Sequence, residues 1–164
     1  MLMRLWIVDT NVVVSGLIGR DPESPTAKIL NDMIAGEMVF LLSPMLLAEY
    51  RAVLLRPGIA MRHGLSEPEI DQILIELTAN AKWSEPKDDD QHQAPDRGDR
   101  HLWALLCSHP EAILLTGDRL LLENPRPGSQ IKMPADYKSP QLIKHLLNQA
   151  PKKYKSKTLQ TQAD

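Results

Sequence analysis

The chain predicts an α/β fold built on a mainly parallel sheet. Short continuous apolar runs (Leu5-Trp6-Ile7-Val8, Met38-Val39-Phe40-Leu41-Leu42, Ala112-Ile113-Leu114-Leu115) alternate with stretches of helical pattern, as in sheets buried on both faces. An acid follows each run: Asp9 after the first, Glu49 after the second and Asp118 after the third. A fourth, Asp99, opens a helical stretch. In open α/β sheets ligands bind in the crevice outside the carboxyl ends of the strands, so the same pattern also predicts a site.

The first strand is expected at 4–9, followed by a short helix around 12–18 and a turn at Gly19-Arg20-Asp21-Pro22. Ser24 before Pro25 marks the start of a helix over 25–36, because a serine hydroxyl caps free backbone donors and proline suits the first helical position. A strand at 38–42 and a helix at 44–55 repeat the scheme with Ser43-Pro44. Past Arg56-Pro57-Gly58 comes a short helical segment. A helix over 67–80 follows, with Ile70, Ile73, Leu74 and Leu77 at i, i+3, i+4 and i+7. A weak strand at 81–84 precedes an acidic loop from Lys87 to Gln93. The remaining elements are a helix at 97–108, a strand at 112–115, a short helix at 119–123, a loop from Asn124 to Gln130, a strand at 130–133 and a last helix at 140–148. Neither a repeat nor a linker interrupts them, so 1–148 reads as one domain and 149–164 as a polar, basic tail expected to be disordered.

Composition narrows the class. With 164 residues, 43% hydrophobic and 24% charged, the chain has an ordinary globular make-up, which excludes collagen-like and disordered classes. No apolar run approaches the ~20 residues a membrane-spanning helix needs. Met1-Leu2-Met3-Arg4 leads straight into a strand without the layout of a signal peptide, so a cytoplasmic location is expected. Cys107, alone beside Leu102-Trp103-Ala104-Leu105-Leu106, reads as a small buried hydrophobe. The formal charge of −2 conceals a division: Lys152, Lys153, Lys155 and Lys157 against Asp164 make the tail +3, leaving −5 on the rest. A cation bound at the clustered acids would neutralise them locally, so this charge does not exclude a phosphate-bearing substrate.

Each acid also has an ordinary structural reading. Asp9 could shape a strand-end turn with Thr10 and Asn11, and Glu49 could be an exposed helical residue. Asp96 and Asp99 could be a helix cap and its first-turn partner, and Asp118 could cap 119–123. Those readings do not explain why four acids fall beside one edge of one sheet. Converging carboxylates repel one another and resist ionising together unless a divalent cation supplies the missing charge. Mg²⁺ suits hard oxygen ligands, lowers the pKa of bound water and neutralises charge on a phosphodiester as it breaks. Asn11, Ser15 and Thr116 are neutral hydrogen-bonding groups near Asp9 and Asp118 in sequence, suited to supporting ligands or phosphate oxygens. Arg97, Arg100 and Arg119 flank the acids, and a guanidinium pairs well with phosphate.

The motifs themselves resemble those of a known family. Val8-Asp9-Thr10-Asn11-Val12-Val13-Val14-Ser15, then Ser43-Pro44 with Ala48-Glu49-Tyr50, then Asp96-Arg97-Gly98-Asp99 before Leu102-Trp103-Ala104-Leu105, then Leu115-Thr116-Gly117-Asp118-Arg119 are similar, in order, to the motifs of PIN-domain nucleases. The likeness is to the bacterial branch of toxins from toxin-antitoxin pairs. It extends over about 4–147, since Ile131-Lys132-Met133-Pro134-Ala135-Asp136-Tyr137 resembles that branch's closing strand. The resemblance implies a three-layer α/β/α domain with a central sheet of four to five strands. It implies Asp9, Glu49, Asp99 and Asp118 as a catalytic, metal-holding quartet with Asp96 as a possible fifth acid, and Mg²⁺- or Mn²⁺-dependent cleavage of single-stranded RNA. It further implies an antitoxin partner received beside the acids, and a homodimer. Leu121 departs from the pattern, standing where many relatives carry another Asp, and the tail has no counterpart.

Two other readings stay open. An aspartyl-phosphate phosphatase also begins with Asp at a strand end, although that chemistry wants a second acid where Asn11 stands. A non-catalytic RNA-binding module could share the fold. Asp88-Asp89-Asp90 with His92 reads as a solvated loop, and the five histidines show no zinc spacing. The apolar stripes of 44–80 (Leu46, Leu47, Val53, Leu54; Ile70, Ile73, Leu74, Leu77) exceed what one sheet face needs, which favours a second copy or a partner covering them.

Overall fold

A computed structural model describes residues 4–140; the expected last helix and the basic tail lie outside them. Among the described residues five short strands are present: β1 (Trp6–Val8), β2 (Leu41–Leu42), β3 (Lys82–Trp83), β4 (Ile113–Leu115) and β5 (Gln130–Lys132). All their pairings are parallel, β1-β4-β5 in one ladder and β2-β3 in another. The ladders meet at a parallel bridge between Trp6 and Phe40. The Trp6 N–H donates to the Val39 carbonyl there at 3.0 Å. Successive strand residues point to opposite faces, yet every residue of β1, β2 and β4 is buried. Both faces are therefore covered, as a three-layer α/β domain requires.

The helices follow the sequence closely: α1 (Thr10–Ile18), α2 (Pro25–Ala35), α3 (Pro44–Leu54), α4 (Pro57–His63), α5 (Glu67–Asn80), α6 (Arg100–Ser108) and α7 (Arg119–Glu123). Ser24 and Ser43 cap α2 and α3 by accepting from the Ala27 and Leu46 amides, each at 3.2 Å. Ser66 and Glu69 close a reciprocal capping box on α5. Gly36 ends α2 in the left-handed region at φ 72°, which a side chain would resist. No helix among the described residues is long and apolar enough to cross a membrane.

The strands are a residue or more shorter than expected, β1 spanning Trp6–Val8 within the expected 4–9, and three other boundaries differ for local reasons. The first helix begins at Thr10 rather than 12, because Asp9 itself is the cap. The strand expected at 38–42 is reduced to β2 and the Phe40 bridge. The helix expected from 97 starts as a 3₁₀ turn, Arg97–Asp99, since the Asp96 side chain caps Gly98 and tightens the entry.

The stripes of α3 and α5 are largely spent inside the chain. Leu46, Leu54, Ile70 and Leu77 are fully buried and Leu74 nearly so, with Leu47, Val53 and Ile73 packed against the same core. The large apolar groups left exposed on this stretch are Met45, Met61 and Ile75, which removes the surplus on which a second copy was inferred.

Candidate active site

Register places the site. Val8, Leu115 and Lys132 lie opposite one another at the carboxyl ends of β1, β4 and β5, so the residues that follow emerge at one edge. Asp9 comes next on β1. It is only 4% exposed, and each carboxylate oxygen is held. Oδ1 accepts from the Thr10 amide at 2.8 Å; Oδ2 accepts from Asn11 Nδ2 at 3.0 Å and from Thr116 Oγ1 at 2.8 Å. Burial pushes the Asp9 carboxyl up, and the donors from Thr116 and Thr10 only partly offset it.

Thr116 and Asn11 lace the two strand ends together. Thr116 Oγ1 also accepts from the Asp118 amide at 3.0 Å and from Asn11 Nδ2 at 3.2 Å, while Asn11 Oδ1 accepts from the Gly117 amide at 2.8 Å. A Cβ on Gly117 would lie 3.2 Å from Asn11 Oδ1, so glycine lets this bond close. Asp118 caps α7, its Oδ1 accepting from the Leu120 amide at 2.9 Å. The expected cap role is thus real, and it orients the half-buried carboxylate at the sheet edge.

Glu49 arrives from α3, which is pinned beside β1 by a hydrogen bond from the Tyr50 hydroxyl to the Val8 carbonyl. Its Oε1 accepts from Thr10 Oγ1 and its Oε2 from His101 Nε2 at 3.0 Å. The His101 bond holds the Glu49 carboxyl below the usual range; burial opposes it, and the Thr10 bond adds to the lowering. His101 is buried, and with Nε2 turned to Glu49 its Nδ1 is left buried without a partner among the described residues.

Asp96 is exposed and caps the 3₁₀ turn, Oδ1 accepting from the Gly98 amide at 2.8 Å. Asp99 holds the N-cap position of α6 but makes no capping bond. Its carboxyl is pushed up to about 6, first by burial and then by the charges of Asp9, Asp96, Asp118 and Glu49. The four residues acting on Asp99 are the other four predicted acids, so the five share one electrostatic environment. Asp9, Asp99 and Asp118 form no ion pair with any lysine or arginine among the described residues.

The other candidates sort differently. Ser15 is exposed one turn beyond Asn11 on α1. Arg97 and Arg100 are exposed without an ion pair among the described residues, whereas Arg119 reaches Glu123 at 3.4 Å along its own helix. The Asp88–Asp90 loop is not simply solvated: Asp89 pairs with Arg126 at 2.7 Å, with side chains only 2% and 11% exposed. Burial pushes the Asp89 carboxyl up, but Arg126 and the Gln91 and His92 amides outweigh it and hold it low. Thr10 and His101 are the site residues that motif reading missed. Both act on Glu49 from 39 and 52 residues away, and no periodicity signals such a contact.

The donor set fits a hard divalent cation: carboxylate oxygens only, in an environment short of positive charge. Among the described residues no three ligating side chains close on a common point. Two clefts share Asp88, Arg97 and Arg100 in their walls, and none of the five acids lines either. One of about 560 Å³ has His101 in its wall, and another of about 380 Å³ lies under the acidic loop.

Acids without a lysine or arginine partner among the described residues, gathered at the carboxyl edge of a parallel sheet, form a candidate site for a divalent cation. The PIN domain family model matches residues 6–120, and the chain belongs to that family. Its members are generally nucleases and typically use divalent metals. The match takes in all five acids and ends before β5. No curated protein matches the chain.

Proposed function

We propose that this chain is an endoribonuclease that hydrolyses phosphodiester bonds of single-stranded RNA with Mg²⁺ or Mn²⁺. The observation that carries the reading is Asp99: it is half-buried, uncapped and pushed up to about 6 by burial and by four other acids. Such a cluster is costly to keep unless it binds a cation. Asp9, Glu49, Asp99 and Asp118 would hold the metal, with Asp96 at the rim orienting bound water. The ion would supply an activated water and neutralise charge on the phosphate being cut. The protein contributes position. Asn11 and Thr116 fix Asp9, while Thr10 and His101 fix Glu49. Ser15, Arg100 and Arg119, all exposed, would meet phosphate oxygens.

Asn11 disfavours the phosphatase alternative. It stands where that chemistry wants a second acid, and its amide instead donates to Asp9 and accepts from the Gly117 amide. The likeness to the toxin branch supports a role as a toxin restrained by an antitoxin, in a homodimer. Cleavage of single-stranded RNA, with and without EDTA, tests the enzymatic core. Cleavage that needs Mg²⁺ or Mn²⁺ and disappears in Asp118→Asn is expected; RNA binding without turnover would leave only the binding-module reading. Co-purification with the product of an adjacent short reading frame, and light scattering across a dilution series, test partner and assembly.

A further inference from the structure

We propose that the two clefts that share Arg97 and Arg100 are successive nucleotide pockets for single-stranded RNA, divided by a ridge that grips the phosphate between them. The inference rests on the ribonuclease reading and specifies where its substrate lies. Arg97 and Arg100 line both clefts together with Asp88, so these three stand on the wall the clefts share, with two cations against one acid. Both arginines are exposed, and neither is ion-paired among the described residues. Two free guanidiniums on one ridge suit the bridging phosphate of a chain that dips to either side.

The larger cleft has the size and chemistry of a nucleoside site. Its volume of about 560 Å³ falls in the range of small-molecule pockets, and Pro44, Met45, Pro86 and Ala104 give it an apolar lining for a base face. Met45 is 64% exposed and conformationally adaptable, which suits it to lie against a base. Glu85 and Asp88 add acceptors at the same lining, which favour bases with an exocyclic amine over uracil. His101 links this cleft to the chemistry, since the side chain in its wall is the one bonded to Glu49. A base seated here would be separated from Glu49 by the His101 ring. Separate pockets for neighbouring bases require them to be unstacked, so the substrate is single-stranded.

The test uses the full chain carrying Asp118→Asn, in EDTA, and a short fluorescein-labelled RNA of mixed sequence followed by anisotropy. Arg97→Ala with Arg100→Ala should weaken binding about tenfold or more, as expected for lost charge-assisted hydrogen bonds. It should also flatten the salt dependence, by about 0.7 in log–log slope per phosphate contact removed. Met45→Glu should weaken binding comparably by placing a carboxylate against the base, while Met61→Glu, 85% exposed on α4, should not. Unchanged binding in both cleft variants overturns the assignment, leaving the cleft to a protein partner. In parallel, RNA cleavage by the chain without Asp118→Asn reports on the ribonuclease reading alone. Cleavage with unchanged binding sinks the pockets and keeps the nuclease; weakened binding without cleavage does the reverse.

Discussion

Replacing Asp99 with asparagine should make the metal-free protein more heat-stable at neutral pH and abolish its response to metal. The carboxyl is carried from its ordinary 3.8 to about 6, by burial first and then by Asp9, Asp96, Asp118 and Glu49. At about 1.36 kcal/mol per unit of pKa, ionising it in the folded chain costs roughly 3 kcal/mol. Asp99 is only half-buried, and solvent screening reduces that to ~1–1.5 kcal/mol. The sign follows from linkage. A raised folded pKa means that the native state holds the proton more tightly than the unfolded chain. This contribution is therefore present below about pH 3.8 and lost as pH rises through about 6. Asparagine carries no charge and escapes the loss. Thermal melts in EDTA should separate variant from parent by roughly 2–6 °C at neutral pH and bring them together near pH 4. Added Mn²⁺ or Mg²⁺ should raise the melting temperature of the parent and leave the variant unmoved, because only the parent binds it in the folded state. A variant that melts at or below the parent in EDTA, by the same margin at both pH values, would refute the claim that repulsion among the acids is concentrated on Asp99.

Asp9→Asn should behave oppositely, losing cleavage and ~1–3 kcal/mol of stability, because an amide N–H₂ must face one of the donors that now bond the carboxylate; chemical denaturation measures it. Asp118→Asn should lose cleavage with little change in melting, since asparagine caps a helix as well as aspartate does. His101→Ala should weaken Mn²⁺ binding by about 10–100-fold in calorimetric titration by releasing Glu49, and an unaltered affinity would show that Glu49 needs no such support. Gly16→Ala should cost roughly 1–3 kcal/mol, because its Cβ would lie 2.6 Å from the Thr26 carbonyl oxygen and 3.0 Å from Leu30 Cβ; an unchanged melt would mean α1 and α2 can part. Arg126→Ala should open the 85–95 loop to limited proteolysis, since Asp89 would lose its partner.

The parts legible in the sequence were those that repeat or punctuate. Apolar runs gave β1, β2 and β4, and Ser-Pro pairs gave the starts of α2 and α3. Asp9 and Asp118 could be placed because a parallel sheet brings its carboxyl ends to one edge whatever the helices do. What stayed hidden depends on contacts between distant residues. Asp9 is both cap and site residue, so the first helix begins two residues earlier than its apolar pattern suggests. Asp89 looked like one of three solvated acids until Arg126, 37 residues on, closed over it. The stripes of α3 and α5 read as surplus because the sequence shows how much apolar surface exists and not what covers it.

The same contacts explain why the acids are not equivalent. Asp9 accepts three hydrogen bonds and Glu49 two, while Asp118 and Asp96 each accept one from the turn they cap. Every bond fixes an orientation and lowers the cost of the charge it touches. Asp99 alone occupies a cap position without making a capping bond, so no local donor offsets the field of its neighbours. A cluster in which four acids are held by donors and the fifth by none is prepared for a cation: the held groups set the geometry in advance, and relief of Asp99 and of buried Asp9 supplies free energy for binding. If all five were equally satisfied, the site would be rigid but gain little from a metal. If none were, it would scatter under its own repulsion.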